Sequence, residues 1–399
     1  MISQTLKTKS TDVFLNALSC LNTGTLKLTL PNGKIYEFEG QNNGPHGQIE
    51  IHDFSVISHL ALKGDIAFAE DYRDGKWDSP DIASLIECAI LNYDALSRYI
   101  SGSWLQRFLS QIYYLFKKNT KKGSRKNIHA HYDLGNEFYK LWLDKTMTYS
   151  SALYLNDTED LSSAQNNKYD RILHRVADAG ENVLEIGCGW GGFAERLASS
   201  TAKETSNLRL KGLTISPSQL AFAQHRLKPF EQRVDLVLED YRDVKGKFDS
   251  IVSIEMFEAV GEEYWKTYFD RVKSLLTQKG KAVIQTITID DPFFEDYRKS
   301  GDAIRSFIFP GGMLPSPSRF EQVANDSGLS VTDKFFFGQD YATTLLVWLK
   351  NFDEQKEIIL SQGFDTPFIR LWRFYLAYCA GAFRAQRINV MQVELKPNS

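Results

Sequence analysis

The chain has 399 residues, enough for two domains of ordinary size, and 50 acidic against 47 basic residues leave a formal charge of −3. That faint negative charge argues against nucleic acid as the main partner. The four cysteines, Cys20, Cys88, Cys188 and Cys379, are scattered without CxxC or Cys/His spacing, so no metal site is assigned and a reducing cytoplasm is expected. No apolar run reaches the ~20 residues of a membrane-spanning helix, and the first residues lack the apolar core of a signal peptide, so membrane contact is expected to be peripheral.

Residues 1–20 read as a helix. Thr25–Leu30 and Lys34–Phe38 alternate in period two around Pro31-Asn32-Gly33, the pattern of a hairpin. Gly47–His52 reads as another strand, Asp53 caps a helix through Leu62, and Ser79-Pro80 opens a further helix through Leu91. Residues 1–115 therefore predict a small α+β domain with no catalytic constellation, suited to binding or docking. Residues 116–128 read as a basic linker, with six cations between Lys117 and Lys126. Such a run suits solvent, and it also suits anionic lipid headgroups at ~1 kcal/mol per cation.

The rest, 129–399, reads as the second domain. His131–Asp144 is helical with Phe138, Leu141 and Trp142 on one face, Met147–Ala152 is a polar loop, and Ser162–Asp178 is an amphipathic helix. Asn182–Ile186 is a short buried strand that ends in Gly187-Cys188-Gly189-Trp190-Gly191-Gly192, with a helix following. Strand, glycine-rich turn and helix make a nucleotide-type pocket. The turn has neither the G-x-G-x-x-G spacing nor the Lys-Ser/Thr of a P-loop. Glu185-x-Gly187-x-Gly189 after a strand is instead the mark of class I S-adenosylmethionine (SAM) methyltransferases.

Strands and helices then alternate: Leu208–Ile215, a helix opened by Ser216-Pro217, Val234–Leu238, Phe248–Ile254, a helix over Glu263–Leu276, and Lys281–Ile289. This predicts an α/β fold, a doubly wound parallel sheet whose ligand site lies at the carboxyl ends of the strands. The glycine turn, Thr214, Asp240, Glu258 and Gln285 fall on that edge. Residues 290–316 are an apolar excursion, read equally well as a wall for an apolar substrate or as a packed insertion. A helix over Ser318–Ser327 and strands Leu329–Gly338 and Ala342–Leu349 are expected to close the sheet with an antiparallel edge, and Phe352–Gly363 and Phe368–Arg387 to form terminal helices. The second strand ends without a carboxylate for ribose, and Gln219, on the next helix, is well placed instead. All seven histidines precede residue 226, so imidazole is absent from the last part of the chain.

His131–Asn136, Glu185–Gly192, Thr214–Gln219, Asp240–Asp243, Met256-Phe257-Glu258, Phe309-Pro310-Gly311 and Cys379–Arg384 together resemble the cyclopropane-fatty-acyl-phospholipid synthases. The likeness runs in order from about residue 60 to the C-terminus, and Gly64–Trp77 resembles that family's lipid-binding domain. It implies that SAM lies against Glu185, Gly187, Gly189, Trp190 and Gly191. Tyr149 and Ser150 would close over it, Thr214 and Gln219 would meet its ribose side, and Asp240, Tyr241 and Arg242 its adenine side. The implied substrate is an unsaturated phospholipid acyl chain, met peripherally at the inner face of the membrane. A homodimer is among the assemblies the sequence allows.

The implied chemistry is attack of the alkene on an electrophilic methyl group, leaving a carbocation that must lose a proton. In the family a bicarbonate ion takes it, held by a Glu, a Tyr, a backbone amide, a Cys and a His. Here those positions are Glu258, Tyr341, the amide of Ile287, Ser151 and Gln285, and Ala259 replaces a further His. Serine and glutamine can still hydrogen-bond bicarbonate, but the pocket has lost an imidazole. Proton loss from the methyl gives a cyclopropane, and loss from an adjacent chain carbon gives a methyl-branched alkene. Cys379 is kept as a candidate catalytic residue, although methyl transfer to an alkene needs no covalent enzyme intermediate. A small-molecule N-methyltransferase shares the fold and the Glu motif and is the competing enzyme class.

Overall fold

A computed structural model describes residues 2–100, 134–200 and 205–398. The basic stretch 116–128 and His131-Tyr132-Asp133 lie outside the described residues. The chain forms two compact units: Met1–Phe116 with Glu295–Ile308 and Leu345–Arg387, and Lys117–Phe294 with Phe309–Thr344 and Ile388–Ser399.

In the first unit β1 (Thr23–Thr29), β2 (Ile35–Glu39), β3 (Asn42–Ile51) and β4 (Trp77–Asp78) form a sheet in the order β2-β1-β3-β4. β1 and β2 are the expected antiparallel hairpin, with Leu28 opposite Tyr36. Period-two alternation buries Leu26, Leu28, Ile49 and Ile51 on one face. The helix expected to stop at Leu62 runs over Ser55–Arg73 and kinks at Gly64, whose φ of 58° no ordinary helical residue adopts. The next helix spans Ile82–Leu91. Its cap is Asp81, which accepts the Ser84 N–H at 3.0 Å, so it starts later than the Ser79-Pro80 signal implied. Helix Thr366–Arg384 lies close against it. A Cβ on Gly381 would stand 2.6 Å from the Ala83 carbonyl oxygen, so only glycine permits this approach. Phe68 stacks on the fully buried Trp77 with ring centroids 4.1 Å apart, and burying an aromatic of this size contributes about 2–3 kcal/mol.

The second unit holds β5 (Asn182–Ile186), β6 (Arg209–Thr214), β7 (Val234–Leu238), β8 (Phe248–Ile254), β9 (Leu276–Ile289), β10 (Leu329–Phe336) and β11 (Ile388–Pro397), in the order β10-β11-β9-β8-β5-β6-β7. β5 to β9 are parallel. β11 runs antiparallel to β9, and β10 antiparallel to β11. This is the doubly wound sheet with its antiparallel edge. Strand order reverses at β5, which puts β6 on one side of it and β8 on the other. One face is covered by helices Leu161–Val176, Gly192–Ser199 and Pro217–Leu227, which bury Ile172, Phe193, Leu197 and Ala223 against Val183, Leu210 and Val252.

One expected edge strand is wrong. Ala342–Leu349 belongs to a helix, Gly338–Glu354, and the missing strand is β11, from the end of the chain. The helix buries Tyr341, Ala342, Leu345, Trp348 and Phe352, a helical spacing that the β-favouring Thr343, Thr344 and Val347 mask in the sequence. Among the described residues no helix is long and apolar enough to cross a membrane.

Candidate active site

The glycine turn is built by backbone conformation. Gly187, Gly189 and Gly191 have φ of 86°, 50° and 83°, the left-handed region that glycine alone enters cheaply. The amides of Gly187 and Cys188 both donate to the Leu213 carbonyl, at 3.0 and 2.8 Å, which ties the turn to β6. Nothing lies within 4 Å of where a Cβ on Gly189 would stand, so the main chain faces open space there. Below the turn, Glu185 is buried and its Oε2 has no hydrogen-bond partner among the described residues. Burial raises its pKa to about 8, and Lys168 opposes the rise. An open glycine cradle over an unpaired acid fits a positively charged ligand, because a cation restores the carboxylate charge.

The other residues assigned to this ligand sit in the same unit. Thr214 Oγ1 donates to Gln219 Oε1 at 3.1 Å, which joins the end of β6 to the next helix. Asp240 and Arg242 pair with each other, Nη2 to Oδ2 at 2.7 Å, and the Arg242 amide also donates to Asp240. Tyr241 packs edge-on against Tyr268 at 5.4 Å. Trp190 Nε1 donates to Asn136 Oδ1 at 2.8 Å, so the glycine turn is pinned to the segment before it. The ring of Tyr149 lies 5.5 Å from Tyr139, 5.4 Å from Trp142 and 6.4 Å from Phe309, an aromatic wall.

The acidic pocket forms where β8 and β9 end. Glu258, on the short turn of helix after β8, accepts from Thr286 Oγ1 at 2.9 Å and from the Ile287 amide, and its Oε2 has no partner among the described residues. Burial, with the charge of Glu255 beside it, raises its pKa to about 8. Sequence reasoning passed over Glu255. Its Oε1 accepts the Ser151 amide at 2.9 Å and Gln285 Nε2 at 2.8 Å, and its Oε2 accepts the Tyr341 hydroxyl at 2.6 Å. Tyr341, Gln285 and Ser151 therefore gather on Glu255, while Glu258 holds only the Ile287 amide from the assigned set. Ser151 contributes its amide, and its hydroxyl donates to the Ala152 carbonyl. Glu255 also has φ 48°, at a cost of about 1 kcal/mol for a residue with a Cβ.

Lys168 was missed as well. It is wholly buried in helix Leu161–Val176, donates to Ser150 Oγ and Gln165 Oε1 at 2.7 Å each, and has its pKa lowered by burial to about 7 despite Glu255, Asp144 and Glu185. Its position on an amphipathic helix gave no sign of this. Cys379 belongs to the first unit, on helix Thr366–Arg384, where burial pushes its thiol pKa up and keeps it neutral. No group of three or more His, Cys, Asp or Glu among the described residues is arranged to hold a metal ion.

Fold, cradle and buried acids define a SAM-dependent methyltransferase. Residues 119–393 match the family described as mycolic acid cyclopropane synthetase, and the chain belongs to that family. It is 34% identical over 349 residues to a tuberculostearic acid methyltransferase of Mycobacterium tuberculosis, covering 85% of this chain and 80% of that one. It is 32% identical over 359 residues to the cyclopropane-fatty-acyl-phospholipid synthase of Escherichia coli, covering 88% of each. Among solved structures it resembles a mycolic acid cyclopropane synthase complexed with SAH, with TM-score 0.62 and 30% identity over 68% of this chain and 97% of that one. Coclaurine N-methyltransferase superposes with TM-score 0.64 at 19% identity, over 82% of this chain and 98% of that one, a likeness of fold. The relatives make SAM-dependent modification of lipid acyl chains the activity class of this enzyme.

Proposed function

We propose that the enzyme methylates the double bond of an unsaturated phospholipid acyl chain and resolves the resulting cation to a cyclopropane, reaching its substrate by peripheral contact with a membrane. The observation that carries this reading is the juxtaposition of the glycine cradle after β5 with two partly buried carboxylates, Glu255 and Glu258, after the adjacent strand β8. Gly187, Gly189, Gly191, Glu185, Thr214, Gln219 and Asp240 would hold SAM, which would supply an electrophilic methyl group. The aromatic faces of Tyr139, Trp142, Tyr149 and Phe309 exclude water and favour positive charge on the chain. Glu258 keeps one oxygen unpartnered among the described residues, and a cation formed beside it would favour its ionised, charge-balancing form.

A second reading, proton loss from an adjacent chain carbon to give a methyl-branched alkene, is favoured by Ser151 and Gln285, which stand where the resemblance places Cys and His and leave the pocket without an imidazole. Incubation with SAM and unsaturated phospholipid vesicles, followed by product structure determination, separates the two. Both products gain one methylene mass, but only the branched alkene takes up hydrogen on mild catalytic reduction. Turnover of a soluble amine with no change in the lipid would sink both readings.

A further inference from the structure

We propose that Glu255 is the enzyme's own general base, standing where the resemblance places a bicarbonate ion, so that catalysis needs no dissolved carbonate. The inference rests on the acyl-chain reading above.

Three observations carry it. First, the donors are taken. The Tyr341 hydroxyl, the Gln285 amide nitrogen and the Ser151 amide converge on the two oxygens of Glu255 at 2.6, 2.8 and 2.9 Å, and the Ile287 amide donates to Glu258. Each of these donors already serves a Glu255 or Glu258 oxygen, and an added anion would also meet the charge of Glu255, so bicarbonate does not fit. Second, Glu255 sits at φ 48°, where glycine is the unstrained choice, and its amide is clamped to the Gln285 carbonyl at 2.8 Å. The fold tolerates that strain at a residue whose side chain points into the acidic pocket. Third, the carboxylate is held by a polarised relay. Arg171, which can only donate, gives Nη1 to Gln392 Oε1 at 2.9 Å. Gln392 Nε2 then faces Gln285 Oε1 at 3.0 Å, which leaves Gln285 Nε2 to face Glu255. Arg171 is anchored to Asp333 at 2.7 Å. The arginine thus fixes the direction of both amides, and Gln285 always offers Glu255 a donor.

The step balances within the site. The alkene pair forms a bond to the methyl carbon as the carbon–sulfur bond breaks, and the neighbouring chain carbon becomes cationic. A Glu255 oxygen removes a proton from the new methyl group. The electrons of that C–H bond close the three-membered ring and quench the cation. The proton stays on Glu255 until product release opens the site to solvent. A hydrogen beside a carbocation is acidic enough for a carboxylate to remove, and burial strengthens the base by raising the Glu255 pKa.

The test uses wild type, Glu255→Gln and Glu255→Gly with SAM and unsaturated phospholipid vesicles, in buffer stripped of carbon dioxide and then with bicarbonate restored. Bicarbonate binding is followed separately by NMR with the 13C-labelled ion. Wild type is expected to turn over equally in both buffers and to bind no labelled bicarbonate. Glu255→Gln is expected to lose roughly 100-fold or more in kcat with SAM affinity intact by calorimetry. Glu255→Gly is expected to lose as much, to bind labelled bicarbonate in the vacated space and to recover part of its rate when the ion is added. Wild type that stops without bicarbonate, or Glu255→Gln at the wild-type rate, overturns the proposal. The glutamine variant keeps the side-chain volume, so it decides the matter even if the glycine variant fails to fold. A wild type inert on unsaturated lipid in both buffers overturns the acyl-chain reading, and that outcome differs from a bicarbonate requirement because added ion changes nothing.

Discussion

Each unit of this molecule encloses a carboxylate beside a tyrosine, and the two are arranged to opposite ends. In the first unit Asp65 accepts the Ala303 amide and the Tyr378 hydroxyl, each at 3.1 Å. Its neighbour Asp302 caps helix Ala303–Phe307 and pairs with Arg305, whose Nη2 also donates to the Tyr297 and Ser300 carbonyls at 2.9 and 2.6 Å. Burial and Asp302 raise Asp65 to about 6, and the bonds from Ala303 and Tyr378 oppose the rise. In the second unit Glu185 and Glu258 each keep one buried oxygen without a partner among the described residues. Asp65 takes both of its donors on Oδ2, from groups of the first unit alone, and lies beside the Asp302–Arg305 pair. A carboxylate left with an open lone pair, at a strand end beside a glycine cradle, is ready for a charge that comes from outside.

The sharpest way to break this contrast is to neutralise one acid from each unit. Glu258→Gln is expected to lower kcat by about 100- to 1,000-fold with SAM affinity nearly unchanged, because its open oxygen acts on the cation and not on the cofactor. Steady-state kinetics and calorimetry check both halves, and unaltered turnover would remove Glu258 from the machinery. Tyr378→Phe is expected to do the reverse. It takes a donor from Asp65 and costs about 1–3 kcal/mol of stability by denaturant titration, with kcat per folded molecule nearly unchanged. A lost rate in that variant would place the first unit's acid in the catalytic site.

The acids also differ in how they answer to pH. The folded protein holds the Glu258 proton to about pH 8, against an ordinary value of 4.5. The stability this confers is complete below pH 4.5 and is lost as pH rises through 8. Thermal melts should therefore show Glu258→Gln gaining on wild type between pH 5 and pH 9. Lys168, depressed to about 7, acts with the opposite sign but is present in both proteins and largely cancels in the comparison. A constant gap across that range would mean that Glu258 is charged in the fold throughout.

What could be read from the sequence follows from where its information is local. The turn Gly187–Gly192 and the strands β5 to β9 were legible, because glycine spacing and short apolar runs report backbone conformation directly. The β11 edge was not, since helix Gly338–Glu354 carries β-branched residues and the pairing of β11 with β9 joins segments roughly a hundred residues apart. Glu255 stayed hidden because its neighbour Glu258 carried the motif. A signal was present in one departure, Gln285 where the resemblance places His. The Gln285 side chain serves Glu255 directly, whereas Ser151 meets it only through a backbone amide that any residue but proline would offer, and only the fold shows both meeting Tyr341 on one carboxylate.

The smallest expected effect tests the relay that separates the second unit's acids from the first's. Gln392→Leu keeps approximate size and removes the amide that links Arg171 to Gln285. Gln285 is then free to turn its carbonyl toward Glu255, which replaces an attractive contact with a repulsive one and raises the Glu255 pKa. With Gln392 acting only through Gln285, kcat is expected to fall by about 3- to 10-fold, the cost of one misaligned hydrogen bond of ~1 kcal/mol. The acid limb of the kcat–pH profile should move to higher pH, because the base now holds its proton more tightly. Gln392→Glu should go further in the same direction, since its carboxylate accepts from Arg171 and can offer Gln285 no donor. A merely structural role for Gln392 would lower stability while leaving that limb in place.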